Sequence, residues 1–230
     1  MTSWKAALIA FALLGLAPPA WSDASSPGKG VHYVILIRHG AYDPDKNTDD
    51  RLADALNPLG HEQARATGDR LAKLPVRIDA LVSSDFTRAR ETADEIGRAL
   101  HLAANRDSLI HECLPNSDHA DTASAARAEV LACEANLAAA WDKYFRPTPA
   151  ADRHDVLVCH GNVIRWMVAR ALGADTRRWS AMDIANGSLT VIAVKPDGTT
   201  RLVMFSDVSH IPSAKQTWLG VGGGWSKPGP

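Results

Sequence analysis

Residues 34–40 read VILIRHG, an aliphatic run that ends in the tripeptide Arg38-His39-Gly40. Four consecutive aliphatic residues predict a short strand covered on both faces, as in a parallel sheet. The other predicted strands lie at 80–82, 108–110, 156–159, 189–194 and 202–205. The last two flank a turn-like segment at 196–199, whose Pro-Asp-Gly-Thr sequence is typical of a hairpin.

Helical segments separate the earlier strands. Asn57 as N-cap and Pro58 at the first helical position predict a helix that ends before Pro75. The other predicted helices cover 86–100 with Asp85 as its cap, 122–144, and 162–172 closed by Gly173. This alternation predicts one α/β domain over 32–212, with three layers: a mostly parallel central sheet and helices on both faces.

The composition is that of an ordinary globular protein. Of the 230 residues, 46% are hydrophobic and 22% are charged, so the chain can bury a sizeable core. The formal net charge of -1 gives no basic footprint for a nucleic-acid backbone. Non-specific DNA or RNA binding is therefore excluded.

The first 22 residues have the pattern of a secretory signal peptide. Lys5 supplies a positive charge, residues 6–17 are apolar, and residues 20–22 resemble a small-x-small cleavage site. At about 1.5 Å per helical residue, the apolar run is too short for a hydrocarbon core of about 30 Å. We therefore expect cleavage, no stable membrane anchor afterwards, and a periplasmic or secreted protein. Residues 23–31 are expected to be flexible. Residues 213–230 are expected to form a Gly-rich tail, mobile over 220–230, and the role of its tryptophans stays open.

The chain has three cysteines, which export would place where disulfides persist. Cys159 ends an apolar run and is expected to be a buried, inert thiol. The sequence leaves open whether Cys113 and Cys133 form a disulfide, because it does not give the distance between their Cα atoms.

Polar and charged side chains follow the predicted strands. Arg38 and His39 follow the first strand, and Arg88 lies in the segment after the second. Glu112 follows the third, and His160 follows the strand at 156–159. Open α/β sheets bind ligands at the carboxyl ends of their strands. We therefore expect these five side chains to share one pocket.

These residue types suit a phosphoryl group. Guanidinium groups bind phosphoryl oxygens through charge-assisted hydrogen bonds. A neutral imidazole can attack phosphorus, a second histidine can stabilise the developing charge, and a carboxylic acid can protonate the leaving oxygen. The spacing of the remaining histidines gives no support for a structural zinc site.

Four segments carry a resemblance to a known family. They are 35–40, 56–64, 83–93 and 159–161, which read ILIRHG, LNPLGHEQA, SSDFTRARETA and CHG. They resemble the histidine phosphatase (phosphoglycerate-mutase-like) superfamily over nearly the whole mature chain. The segments 162–165, 185–188 and 211–212 resemble its mitochondrial serine/threonine-protein phosphatase branch. Together with the leader pattern, the resemblance implies an exported, bacterial-type member of this superfamily, which needs no metal and no cofactor.

The resemblance also implies a role for each residue at the sheet edge. His39 would be the phosphorylated nucleophile, and His160 would stabilise the transition state. Arg38 and Arg88 would hold the phosphoryl oxygens. Glu112 would act as general acid and base.

Some positions depart from the family pattern or leave alternatives. His111, Asp118 and Asp121 remain alternatives to Glu112, because the resemblance is weakest in that segment. The family often has an acidic residue and an asparagine soon after Arg-His-Gly, whereas Ala41 and Asp45 stand there in this chain.

The implied activity is metal-independent hydrolysis of a phosphomonoester, either a phosphoprotein or an exported small molecule, through a phosphohistidine. One alternative is a phosphoglycerate mutase, which the short segment 113–121 disfavours because it has no Arg or Lys to grip a carboxylate. The other is a non-catalytic phospholigand-binding or scaffold protein, which the complete residue set disfavours. The resemblance allows a homodimer and leaves the natural substrate open.

Overall fold

The aliphatic run at 34–37 forms the centre of strand β1, His32–Arg38. The computed structural model describes residues 29–44, 54–118 and 126–219. Side chains of β1 alternate between two cores, since Val34 and Leu36 enter one while Ile35 and Ile37 enter the other. All four are at most 3% exposed, so the strand is covered on both faces, as predicted.

The described chain contains a six-stranded mixed sheet with β1 in its interior. The remaining strands are β2 Ala80–Ser83, β3 Asn105–Arg106, β4 Arg153–Cys159, β5 Ile184–Ala185, β6 Leu189–Val194, β7 Thr200–Asp207 and β8 Trp218–Leu219. The order in the large sheet is β3-β2-β4-β1-β6-β7, and β5 pairs separately with β8. The first four strands run parallel, whereas β6 and β7 are antiparallel to their neighbours. Arg38 lies opposite Cys159, so β1 and β4 end at the same edge.

Helices cover both faces of this sheet. Helices α1, Pro58–Ala72, and α2, Thr87–Leu100, pack against the Ile35 and Ile37 side. Helices α3, Arg127–Tyr144, and α4, Gly161–Ala171, pack against the opposite side. The three-layer α/β fold class is therefore confirmed.

The predicted strand at 108–110 is wrong. These residues form a 3₁₀ turn, because the carboxylate of Asp107 accepts the backbone N–H of Leu109 at 3.0 Å and bends the chain. The parallel edge strand β3 lies just before this turn.

Two predicted helix starts also differ from the structure. Asp85 is not a cap, since α2 begins at Thr87 with Phe86 as its N-cap and without a side-chain capping bond. Ser84 Oγ instead accepts the Phe86 N–H at 3.3 Å. Helix α3 begins at Arg127 rather than near 122, and residues 119–125 lie outside the described part of the chain.

Residues 213–219, which the sequence assigned to the tail, continue the domain. They form a 3₁₀ turn and then β8, in which Trp218 pairs with Ala185. The side-chain amide of Gln63 in α1 donates to the Lys215 carbonyl at 2.7 Å. Residues 213–219 therefore pack as part of the fold, beyond the expected boundary at 212.

The expected signal peptide, residues 23–28 and residues 220–230 lie outside the described residues. Within the described ranges, no helix has the length and apolar character needed to cross a membrane.

Cys113 and Cys133 form a disulfide, with their Cα atoms 5.6 Å apart. It joins the segment after the 3₁₀ turn to α3. Cys159 is a buried free thiol, as expected, and burial raises its pKa.

Candidate active site

Three polar residues lie next to one another just beyond the carboxyl ends of neighbouring strands. His39 follows β1, Ser84 follows β2 and His160 follows β4. Backbone pairing continues past the strand ends: the His39 N–H donates to the Cys159 carbonyl at 3.0 Å, and the Ser84 N–H donates to the Val158 carbonyl at 2.9 Å. The parallel topology thereby brings the ring centroids of the two histidines to 5.1 Å.

The hydrogen bonds of His39 fix its tautomer. Nδ1 lies 2.8 Å from the Gly40 carbonyl oxygen, which can only accept, so Nδ1 carries the proton. Nε2 lies 3.2 Å from Arg88 Nε, which can only donate, so Nε2 holds a lone pair. Burial keeps the pKa of His39 well below its ordinary value, and the charges of Arg38 and Arg88 lower it further. The ring is therefore neutral near pH 7, with its Nε2 lone pair directed toward a guanidinium.

The backbone that carries the His39 ring is held in place by hydrogen bonds from distant segments of the chain. Asn186 Nδ2 donates to the His39 carbonyl at 3.0 Å. Thr92 Oγ1 in α2 accepts the Gly40 N–H, also at 3.0 Å. The Gly187 N–H donates to the Arg38 carbonyl at 3.0 Å. The Arg-His-Gly segment is thus anchored from two sides.

His160 is held through Ser84. Its Nε2 lies 2.8 Å from Ser84 Oγ. Because Ser84 Oγ accepts the Phe86 N–H, its own proton can be donated to Nε2, which leaves the His160 proton on Nδ1. Burial is the main cause that holds the pKa of His160 well below its ordinary value, and His39 and the arginines add to it.

Two buried arginines supply positive charge. Arg38 is 3% exposed and donates from Nη1 to the Ile184 carbonyl at 2.5 Å. Burial lowers its pKa to about 10, which still leaves it charged at neutral pH. Arg88 is 2% exposed, lies over the rings of Tyr42 and Phe86, and has Nη1 3.9 Å from Asp54 Oδ2.

Glu112 lies in the field of both arginines and of Arg165. Burial raises its pKa to about 7, although these three charges and the backbone N–H of Asn162 act in the opposite direction. A carboxyl group with this pKa carries a proton in about half of the molecules at neutral pH and can exchange it during a reaction.

Several buried polar atoms at this edge have no partner within the described residues. They include Arg38 Nε, His160 Nδ1 and Glu112 Oε1, with Asp85 Oδ1 and His111 Nδ1 nearby. An unmet buried hydrogen-bonding group typically costs about 1–3 kcal/mol, so such groups concentrate where a ligand binds. Two donors and one titratable carboxyl, beside a neutral imidazole, suit a phosphoryl oxyanion.

Comparison with known proteins agrees with this chemistry. Residues 34–207 match the family model of the histidine phosphatase superfamily (branch 1). The chain belongs to the histidine phosphatase superfamily. The matched range begins in β1 and ends at the last residue of β7, so it contains every residue of the site described above.

Phosphatases are among the relatives of this superfamily member. The mitochondrial serine/threonine-protein phosphatase PGAM5 of Homo sapiens is 34% identical over 196 residues, which cover 82% of this chain and 67% of the relative. Its Xenopus tropicalis counterpart is 33% identical over 203 residues, covering 81% and 68%. A solved phosphoglycerate mutase from Plasmodium falciparum is 25% identical with a TM-score of 0.57, covering 80% of this chain and 95% of that one. The chain is accordingly an enzyme of the histidine phosphatase type.

Of the alternatives for the acid position, one forms a surface ion pair, one borders the site and one is not described. His111 borders it, because the Phe86 ring that it contacts also packs against His160. Asp118 is substantially exposed and pairs with Arg178 at 3.3 Å. His111 stacks on Phe86 with ring centroids 5.7 Å apart. Its Nδ1 lies 3.9 Å from Asp85 Oδ1. Asp121, like Asp45 near the Arg-His-Gly segment, falls outside the described residues.

Sequence reasoning assigned no role to several residues that hold the histidine phosphatase site. Ser84 could have been found, because it directly follows a strand of the same edge. Asn186 and Arg165 lie in two segments that carry the family resemblance, 185–188 and 162–165. No local pattern indicated their contacts, since Asn186 contacts a residue 147 positions away and Arg165 lies inside a helix.

Proposed function

We propose that this histidine phosphatase superfamily member is a metal-independent phosphomonoester hydrolase that forms a phosphohistidine at His39. The observation that carries the proposal is the fixed tautomer of His39. Its Nε2 lone pair lies 3.2 Å from Arg88 Nε, next to a group that would bind the phosphoryl oxygens of a substrate. Nucleophile and anion site are thereby adjacent.

In the first step, His39 Nε2 attacks phosphorus and the bond between phosphorus and the leaving oxygen breaks. Glu112 gives its proton to that oxygen, so an alcohol leaves and Glu112 becomes a carboxylate. Its pKa of about 7 makes the proton available at neutral pH. The products of this step are phosphohistidine and the free alcohol.

In the second step, water attacks the phosphohistidine on phosphorus. The Glu112 carboxylate takes a proton from this water, and the bond between phosphorus and Nε2 breaks. Inorganic phosphate leaves, while His39 returns to its neutral form and Glu112 to its protonated form. The cycle consumes one water and needs no further reactant.

Arg38, Arg88 and His160 stabilise the charge on the transferring group. The two guanidiniums pair with the equatorial oxygens, and His160 donates from Nδ1, the ring nitrogen that Ser84 leaves unused. Preorganised donors of this kind typically contribute about 10²- to 10³-fold each to the rate.

The leader pattern and the Cys113–Cys133 disulfide support an exported location for this enzyme, because disulfides persist mainly outside reducing compartments. The serine/threonine-protein phosphatases among its relatives favour phosphoserine and phosphothreonine in proteins as substrates. Small exported phosphoesters are the second substrate class. Profiling phosphopeptides against sugar phosphates separates the two.

The proposal is tested by hydrolysis of an aryl phosphate in excess EDTA, comparing the wild type with His39→Ala. We expect activity that survives the chelator and disappears in the variant. Activity lost to EDTA would contradict metal independence. A wild type that binds phosphate without hydrolysing aryl phosphates, phosphopeptides or sugar phosphates would indicate the non-catalytic alternative.

A further inference from the structure

Arg165 is a half-buried arginine of α4 whose hydrogen bonds are all made to neighbouring backbone and amide oxygens. Nε donates to the Gly161 carbonyl at 3.2 Å, and Nη1 donates to the Met182 carbonyl at 2.9 Å. Nη2 donates to Asn162 Oδ1 at 2.6 Å. The guanidinium also lies 4.6 Å over the ring of Trp179. These contacts fix its position in every direction.

Asn162 connects Arg165 by hydrogen bonds to the segment that contains Glu112, the proposed general acid. Because its Oδ1 accepts from Arg165, its Nδ2 must be the atom that donates to the Cys113 carbonyl at 3.0 Å. The backbone N–H of Asn162 also acts on the Glu112 carboxyl, whose pKa it lowers. Asn162 thus holds the backbone of Cys113, the residue directly after Glu112 in the chain.

Glu112 itself lies outside regular secondary structure, next to the disulfide-bonded Cys113. It lies in the segment 111–118, which contains neither helix nor strand, and its Oε1 has no partner among the described residues. The same segment is tied to Trp179, whose Nε1 donates to the Asn116 carbonyl at 3.0 Å. Arg165 therefore contacts two of the groups, Asn162 and Trp179, that hold this segment to the body of the domain, while the Cys113–Cys133 disulfide holds it from the side of α3.

We propose that Arg165, acting through Asn162, is a positioning residue that holds the Glu112 carboxyl beside the phosphoryl site. This inference rests on the proposed acid role of Glu112. A lysine could not replace the arginine, because a single ammonium group lacks the planar fork that reaches three separate oxygens. Displacement of Glu112 would impair proton transfer to the leaving oxygen and leave attack by His39 intact.

The test compares kcat/KM for p-nitrophenyl phosphate with that for glycerol phosphate, whose alkoxide leaves poorly without protonation. We expect Arg165→Met to lower kcat/KM about 10- to 100-fold for glycerol phosphate and less than about threefold for the aryl phosphate, part of the 10²- to 10⁴-fold that positioned acids supply. Asn162→Ala should show the same selectivity, and Arg165→Lys should not restore activity.

Arg170→Met is the matched control. Arg170 lies on the same helix, is exposed, and stacks on Trp141 and Trp166 rather than contacting the site. Both substrates should keep wild-type kcat/KM in this variant. If Arg165→Met does not fold, Asn162→Ala carries the test, since it leaves the guanidinium and its other two hydrogen bonds in place.

Glu112→Gln separates this inference from the proposed function. Selective loss in Glu112→Gln, with no further loss for glycerol phosphate in the Glu112→Gln/Arg165→Met double variant, supports the positioning role. Selective loss in Glu112→Gln together with equal losses on both substrates in Arg165→Met and Asn162→Ala overturns the inference alone. Restoration of activity by Arg165→Lys also overturns it. Equal losses on both substrates in Glu112→Gln would overturn the acid role and the inference with it.

Discussion

In the proposed mechanism, the proton of Glu112 decides which substrates are turned over. Its pKa of about 7 means that the acid form is lost as the pH rises through neutrality. We therefore expect kcat/KM for an alkyl phosphate, corrected for ionisation of the substrate, to fall above pH 7. His39 and His160 have pKa values well below their ordinary range. Neither ring should therefore change its protonation, or the reaction rate, near neutral pH.

Glu112→Gln should remove this fall above pH 7, the alkaline limb of the profile, and lower kcat/KM for the alkyl phosphate by about 10²- to 10⁴-fold. The loss with p-nitrophenyl phosphate should be much smaller, because nitrophenolate leaves without a proton. A pH–rate profile for both substrates and both proteins checks this. An unchanged alkaline limb in the variant would show that another group is the acid.

Ser84 fixes the orientation of His160, and its neighbour Ser83 offers a matched control. Ser84→Ala removes the 2.8 Å contact to His160 Nε2 and should lower kcat about tenfold, the equivalent of one hydrogen bond of about 1.4 kcal/mol. Ser83 is equally buried, but its hydroxyl donates to the Ser84 carbonyl at 2.7 Å. Ser83→Ala should lose about 1 kcal/mol of stability and little activity. Equal kcat in the two variants would contradict this role of Ser84.

At the scale of elements, the start of α1 packs directly against the Arg-His-Gly segment. A Cβ added to Gly60 would collide with the Ala41 carbonyl, and one added to Gly40 would collide with the Gly60 carbonyl. We expect Gly60→Ala to lower the free energy of unfolding by about 1–3 kcal/mol and to reduce kcat further than its stability alone explains, because it displaces the backbone next to His39.

Gly173→Ala controls for this effect. Gly173 has a φ of +66°, and its added Cβ would have no described atom within 4 Å, so the variant carries only the left-handed backbone cost of about 1–2 kcal/mol. Its kcat should equal that of the wild type. Denaturant unfolding and steady-state kinetics measure both quantities, and full activity in Gly60→Ala would contradict the close packing.

An element of secondary structure can be predicted from the sequence when residues adjacent in the chain determine it. The aliphatic run of β1 and the Asn57-Pro58 cap of α1 are confirmed because each is specified by adjacent residues. The apolar triplet at 108–110 fits a strand or a 3₁₀ turn, and the Asp107 side-chain hydrogen bond decided between them. Residue periodicity does not reveal such a contact.

Across the whole molecule, the Cys113–Cys133 disulfide links the segment of Glu112 to α3. The closed loop has a sequence separation of 20 residues, for which the chain-entropy account gives about 3 kcal/mol of stability. We expect reductant to lower the Tm of the wild type and to leave the Tm of a Cys113→Ala/Cys133→Ala variant unchanged. A wild-type Tm that ignores reductant, with three titratable thiols after unfolding without reductant, would show that the cysteines are not bridged.

Only those site residues that directly follow parallel strands could be placed together from the sequence. His39 and His160 follow parallel strands, so their proximity at one edge is implied by the fold. The supports from Asn186 and Arg165 depend on side-chain directions in segments far away in the chain. Pairing of the cysteines likewise required the three-dimensional distance between their Cα atoms.

The covalent intermediate is the central claim, and rapid-quench trapping tests it most directly. The purified protein is mixed with p-nitrophenyl phosphate in EDTA, quenched in alkali within the first turnover, and digested for mass spectrometry. We expect one acid-labile, alkali-stable phosphate on the peptide that contains His39, and none on the same peptide from His39→Ala. Nitrophenol release without a phosphopeptide, or with phosphate on another residue, would contradict the account.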